Sequence, residues 1–172
     1  MTASVKDNVG AEEWLDTVLS DDNAGTHLAN VDYDIYAAGE AAYGWLNATF
    51  VLGKSGDFDA AARSPIETLG KSFDERNVSV GHVKFLLQTT DHQWIGNLTG
   101  KAHTASLRDQ ARSADNVTLT VNARVEMKPE DLQNLVLDAV QTIFAGFDCA
   151  QTGLNCLIPG RPDPTYHYTE VI

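Results

Sequence analysis

The chain has 172 residues, of which 43% are hydrophobic and 21% charged, a composition typical of a globular protein with one sizeable core. Its formal net charge is −12, from 24 acidic and 12 scattered basic residues, so binding to nucleic acid or to an anionic membrane is not expected. No apolar run reaches the roughly 20 residues that a membrane-spanning helix needs, and the polar stretch 1–9 has no signal-peptide pattern. We therefore expect a soluble, cytoplasmic protein.

Two helices are expected after a disordered segment over residues 1–10. The first has an apolar stripe with helical spacing, formed by Trp14, Leu15, Val18 and Leu19. In the second, Asp32 can cap the helix, and Gly44 ends it. One side of this second helix carries Tyr33, Tyr36, Ala37, Glu40 and Ala41. Glu40 is the only acidic member of that side.

Four segments have the pattern of strands: 45–52, 80–89, 94–99 and 117–127. The last is the clearest, because apolar and polar residues alternate from Val117 to Met127. Between the third and fourth strands, residues 100–115 predict a surface loop or a short helix.

Two further helices lie between and after these strands. Ser64-Pro65-Ile66-Glu67 has the pattern of a capping box with proline at the first helical position, which predicts a helix start. Its buried side would carry Ile66, Leu69 and Phe73. The last helix is expected to begin at Pro129 and to end at Gly146.

This order of elements predicts an α+β fold with a mostly antiparallel four-stranded sheet, helices packed on one face and two N-terminal helices. We expect one domain over residues 11–147. Three prolines follow it, so residues 148–172 are expected to form an extended C-terminal tail.

The second face of the predicted sheet is polar. If the alternation holds, it presents Asn47, Thr49, His82, Lys84, Asn97, Thr99, Thr118, Thr120, Asn122, Arg124 and Glu126. His82, Lys84, Asn122 and Arg124 are the candidate ligand-binding residues, because their side chains can hydrogen-bond a polar or anionic ligand. The alternative is the ordinary solvated side of an antiparallel sheet.

Catalytic motifs are not recognised. No serine or cysteine lies in a nucleophile elbow, and no acidic pair completes a triad with His82 or His92. Gly53-Lys54-Ser55 follows a strand, but Ala48 stands where a phosphate-binding loop needs its first glycine. We therefore assign no catalytic residue, and no cofactor can be named.

The two cysteines, Cys149 and Cys156, have neither the spacing of a zinc knuckle nor that of a redox motif. In a cytoplasmic protein, unpaired packing thiols are the expected state. The alternative is a metal site formed by these two cysteines with His167, which has too few ligands to be preferred. No metal site is assigned.

Several runs together resemble a known family. The run from Asp32 to Ala48 is similar to the segment that follows the GTPase domain in CobW-like proteins, which are linked to cobalamin metabolism. The strands Gly81-His82-Val83-Lys84 and Val121-Asn122-Ala123-Arg124-Val125, and the tail from Pro159 to Pro164, give a similar match. The resemblance covers about residues 30 to 165 and contains no catalytic residue.

The resemblance implies a stand-alone accessory domain that binds beside a GTPase or a corrinoid-dependent protein. Neither GTP hydrolysis nor metal delivery is carried over, because the phosphate loop and the cysteine-rich metal motif of that family are missing. The alternative function is a small enzyme that acts on an anionic metabolite with His82, Lys84 and Arg124. A third possibility is a self-associating protein, since an uncovered sheet edge can pair with a copy of itself.

Overall fold

The computed structural model describes residues 3–4, 9–21, 31–53, 58–90, 93–100, 106–108 and 117–161. The chain divides into two units, one of Met1–Asp32 with Pro162–Ile172 and one of Tyr33–Arg161. The prediction of disorder over residues 1–10 falls mostly outside the described residues and stays a prediction.

The first unit contains helix α1 (Ala11–Ser20). Glu12 and Glu13 lie in its first turn, where negative charge interacts favourably with the helix dipole. The predicted apolar stripe is present, but each of its four side chains is exposed, from Val18 at 47% to Leu19 at 77%. The stripe therefore forms no buried core within the described part of the chain.

In its described residues, the second unit contains three helices and six strands. The helices are α2 (Tyr33–Ala41), α3 (Phe58–Glu75) and α4 (Pro129–Ile143). The strands are β1 (Gly44–Leu52), β2 (Val80–Gln88), β3 (Gln93–Leu98), β4 (Ser106–Arg108), β5 (Val117–Val125) and β6 (Cys149–Leu157). They form one sheet in the order β4-β3-β2-β5-β1-β6, and every neighbouring pair is antiparallel.

This strand order contains two split β-α-β units. β1 and β2 are both antiparallel to β5, which lies between them, and α3 connects them. In the same way β5 and β6 flank β1 and are connected by α4. Two such interleaved units make the ferredoxin-like topology, which β3 and β4 extend at one side.

One face of the sheet, the inner face, forms the core with α3 and α4. In β5 every second residue from Val117 to Val125 is at most 2% exposed, and β1 alternates in the same way from Leu46 to Leu52. The helices contribute Ile66, Leu69, Phe73, Leu132, Val136 and Val140, and Phe144 follows α4 directly. The opposite, outer face carries most of the polar strand residues, together with apolar ones such as Trp45, Val51 and Leu86.

The predicted α+β class, the antiparallel sheet and the two N-terminal helices are confirmed, but the predicted count of four strands is wrong. β4 lies in the stretch 100–115, where a loop or short helix was expected. β6 lies in the expected C-terminal tail and pairs along β1. The exact domain boundaries stay a prediction, although residues 149–157 belong to the sheet.

The prediction that all helices pack on one face is not confirmed. α3 and α4 pack on the inner face, but Glu40 of α2 forms an ion pair with Arg124 on the outer face. The predicted start of α3 at Ser64 is also wrong, since the helix begins at Phe58 and contains Pro65. The alanine run 60–62 explains this difference, because alanine is the strongest helix former.

Among the described residues, no helix has both the length and the apolar character needed to cross a membrane. The cytoplasmic location stays a prediction.

Gly96 of β3 is required by close packing on the inner face. A Cβ at this position would lie 2.0 Å from Ile66 Cδ1 and 2.9 Å from the ring of Trp94. We expect Gly96→Ala to lower the free energy of unfolding by about 1–3 kcal/mol, because two large buried side chains must move.

Chemical denaturation would measure this effect, with Gly39→Ala in α2 as the control. No atom lies within 4 Å of a Cβ built at Gly39, so we expect unchanged or slightly higher stability there. Equal stability of both variants would show that α3 does not pack on β3 as described.

Candidate functional site

The four candidate ligand-binding residues lie together on the outer face. His82 and Lys84 are on β2, Asn122 and Arg124 are on the adjacent strand β5, and the register pairs His82 with Arg124 and Lys84 with Asn122. Directly paired side chains of antiparallel strands lie on the same face, about 5 Å apart at Cβ. The structure therefore brings all four side chains into one cluster. Whether they bind a ligand stays a prediction.

The register continues this cluster across the sheet as a row of four asparagines and one lysine. The successive partners across five strands are Asn97, Lys84, Asn122, Asn47 and Asn155. We call these five residues the amide row. Sequence reasoning placed four of them on the polar face but missed Asn155, because β6 was not predicted.

Hydrogen bonds connect the centre of the amide row. His82 Nε2 lies 2.6 Å from Asn122 Oδ1, and Asn122 Nδ2 donates to Asn47 Oδ1. Because the Asn122 oxygen accepts, His82 Nε2 carries the hydrogen. This bond fixes the orientation of the imidazole.

Arg124 is held by contacts within the protein. Its guanidinium forms an ion pair with Glu40 of α2, and it lies over the rings of Tyr43, at 5.2 Å, and Trp45, at 4.9 Å from the centroid. The Glu40 side chain is only 13% exposed, so the pair is shielded from solvent. These contacts join α2 to the outer face. They also mean that Arg124, which was predicted to bind an anionic ligand, already has a carboxylate partner within the protein.

Glu40, Tyr43 and Trp45 were not predicted as parts of this cluster. The available signal was Glu40 itself, the single carboxylate on the otherwise apolar side of α2. A carboxylate that is partly buried requires a cation, and Arg124 supplies it from 84 residues further along the chain.

Lys84 differs from the other three candidates because its side chain is exposed, whereas His82, Asn122 and Arg124 are half-buried. Its neighbours in the register are Asn97 and Asn122, and both are neutral amides. Lys84 is therefore the cation of this cluster that is most accessible to an approaching molecule.

Two open grooves lie on the helical side of the molecule. One, of about 230 Å³, lies between α3 and α4 and is lined by residues such as Thr68, Leu135 and Ile143. The other, of about 310 Å³, is lined by residues such as Arg76 and Asp131. Neither groove contains a residue of the amide row.

Cys149 and Cys156 are both half-buried and are not joined in a disulfide. Both lie beside the core, and the thiol of Cys156 donates to the carbonyl oxygen of Pro129 at 3.2 Å. Burial raises the pKa of both thiols, and the nearby carboxylate of Glu130 raises the pKa of Cys156 further. Both groups therefore favour the protonated form, which is a poor metal ligand and nucleophile.

Within the described ranges, no group of three or more potential metal-ligating side chains is present. His167, the third member of the alternative metal site, lies outside the described residues.

Comparison with known proteins finds no family model that matches the chain, and no curated protein or solved structure with significant similarity. The resemblance to CobW-like proteins thus stays a prediction.

Arg124 and Lys84 should differ in their importance for stability. Arg124→Ala leaves the carboxylate of Glu40 partly buried without its cation, so we expect a loss of about 1–3 kcal/mol in the free energy of unfolding. Lys84→Ala removes an exposed side chain, and a change within about 0.5 kcal/mol is expected.

Urea denaturation of both variants, together with Glu40→Gln and the Glu40→Gln, Arg124→Ala double variant, measures the coupling between Glu40 and Arg124. Additive effects of the two single substitutions would contradict the ion pair.

The raised thiol pKa values predict a loss of stability at alkaline pH. In the unfolded chain the thiols ionise near their ordinary pKa of 9.0, whereas the folded protein holds the protons to higher pH. The unfolded state then binds fewer protons, so the free energy of unfolding falls as the pH rises above about 9. Denaturation curves between about pH 8 and pH 10, compared with those of a Cys149→Ala, Cys156→Ala variant, measure this contribution. The same pH slope in both proteins would contradict it.

Proposed function

We propose that this chain is a binding module without catalytic activity, and that its outer face binds a partner protein. The observation that carries the proposal is the amide row on a sheet face whose central polar groups are already hydrogen-bonded to one another. Such groups are held in place before a partner arrives, which lowers the entropic cost of binding. Two of the groups that a catalytic site could use, His82 Nε2 and the Arg124 guanidinium, are already occupied by Asn122 and Glu40.

The charge distribution supports the same function. The whole chain has a net charge of −12, but no outer-face position of β1, β2, β3, β5 or β6 is Asp or Glu. The carboxylate of Glu40, which contacts this face from α2, is paired with Arg124. Depletion of charged residues is typical of the central part of protein interfaces.

The amide groups also suit a protein partner better than a small anion. An asparagine amide has two donor hydrogens and an oxygen that can accept two hydrogen bonds, so an amide with one internal bond still has groups that match those of another protein. An anionic metabolite would instead require several free cations. Of the two cations among the four candidate residues, Arg124 is occupied by Glu40 and Lys84 remains accessible.

For the partner, we propose a GTPase or a corrinoid-dependent protein, on the basis of the resemblance to the region after the GTPase domain of CobW-like proteins. This identity rests on the sequence runs given above. The small enzyme acting on an anionic metabolite is the alternative function.

Lys84→Glu should weaken binding to the partner. The purified chain would be titrated against a purified corrinoid protein and a purified CobW-like GTPase, and the bound mass followed by native mass spectrometry. We expect a loss of at least about tenfold in affinity, or about 1.4 kcal/mol, because a negative charge replaces the accessible cation of the face.

Lys71→Glu on α3 is the matched control, since Lys71 is 79% exposed and the substitution changes the net charge by the same amount. Equal weakening by both substitutions would mean that only total charge matters. No binding by the unaltered chain, or turnover of an anionic metabolite that Lys84→Glu abolishes, would contradict the proposed function.

A further inference from the structure

We propose that strand β6 pairs in an antiparallel way with β6 of a second copy of the chain, so that two six-stranded sheets join into one. β6 is the terminal strand of the sheet, and its only strand partner in the described structure is β1. The backbone N–H and C=O groups on its other side are therefore available for pairing.

β6 lacks most of the features that protect natural sheet edges. Its nine residues, CAQTGLNCL, include no charged residue and no proline. The opposite edge strand, β4, has only three residues, which is itself a protective feature. Among the described residues, β6 is therefore the longer of the two edges and the one long enough to template another strand.

The charge of the molecule favours a second copy at this edge. Two chains that each have a net charge of −12 repel one another at most approaches. At β6 they meet through uncharged side chains, beside the exposed apolar residues Leu157, at 41%, and Ile158, at 51%. Association through this edge thus avoids placing like charges opposite one another.

A β-bulge in β6 indicates the register in which the two copies pair. The pairing with β1 shifts between Thr49 and Phe50, so that Thr152 is an extra residue in β6. Such a bulge disturbs the edge locally and leaves 153–157 as the regular segment. The centre of this segment is Asn155, and a two-fold axis there places Asn155 opposite Asn155 of the second copy.

This register matches side chains on both faces. On the outer face, the two Asn155 amides can hydrogen-bond, and Leu157 lies opposite Gly153 of the second copy, which has no side chain to obstruct it. On the inner face, Leu154 lies opposite Cys156 of the second copy, and both already pack beside the core. The amide row would continue through the axis into the second sheet.

Because only about five residues pair on each chain, the contact area is small and a dissociation constant on the order of micromolar is expected. Sedimentation velocity of the full chain from about 1 to 500 µM would show a shift from 18.7 kDa to twice that mass. Added salt should strengthen the dimer, because it screens the repulsion between two acidic chains. A protein that stays monomeric over this range would overturn the proposal.

Asn155→Lys places two lysines opposite one another at the axis, and we expect it to weaken the dimer by at least about tenfold. Gln88→Lys is the matched control, since Gln88 is also exposed on the outer face but lies on β2. Its dimer should be as strong as that of the unaltered chain. A dimer that is insensitive to Asn155→Lys would overturn the assignment to β6.

Disulfide trapping tests the register independently. In a Cys149→Ser, Cys156→Ser background, Asn155→Cys should cross-link the dimer under mild oxidation, because the two new thiols lie opposite one another. Gln151→Cys is the control, because in this register residue 151 lies about 26 Å along the strand from residue 151 of the second copy. Equal cross-linking at both positions, or none at Asn155→Cys, would overturn the register.

This inference does not depend on the proposed function. Lys84→Glu should leave the dimer intact, because Lys84 lies on β2, three strands from the edge. A chain that dimerises but binds no partner would contradict the proposed function alone, and a monomer that binds a partner would contradict the dimer alone.

Discussion

Strand β5 has to bury one side chain in the core and direct the next to the outer face along its whole length. It lies between β1 and β2, so both of its hydrogen-bonding edges are occupied, and its odd-numbered residues from Val117 to Val125 fill the core beneath α3 and α4. A shift of one residue in its register would place Asn122 and Arg124 in that core. The alternation therefore sets the register of β1 and β2 and determines which polar groups come together on the outer face.

The outer face depends on this register for its chemistry. Asn122 can connect His82 with Asn47 only because β5 is paired on both sides, and Arg124 is brought to Tyr43 and Trp45 by the same pairing. The ion pair with Glu40 then ties α2 to a face that is otherwise uncovered by the other helices of this unit. His82, Asn122 and Arg124, which the sequence predicted as ligand-binding residues, thus form hydrogen bonds and an ion pair within the protein.

Elements with a strong local pattern could be predicted from the sequence, and elements defined by distant contacts could not. β5 and α4 each repeat a hydrophobic period over several residue pairs or turns, so both elements, and the buried side of β5, were predicted correctly. β6 has no clear alternation, because an edge strand outside the central core needs few apolar residues, and only its pairing with β1 makes it a strand. The four candidate residues were placed on the correct face for the same local reason. Glu40 was not recognised as the partner of Arg124, since nothing in the local pattern joins residues so far apart.

The missed strand changes the interpretation of the surface. Without β6 the sheet would end at β1, and Asn47 would lie on an edge strand. With β6 in place, the amide row spans five strands and reaches an edge without charge, on a protein whose acidic residues outnumber its basic ones by two to one. No Asp or Glu lies at an outer-face position of β1, β2, β3, β5 or β6. In the proposed contact with another protein, an unpaired carboxylate at such a position would be buried and would cost free energy.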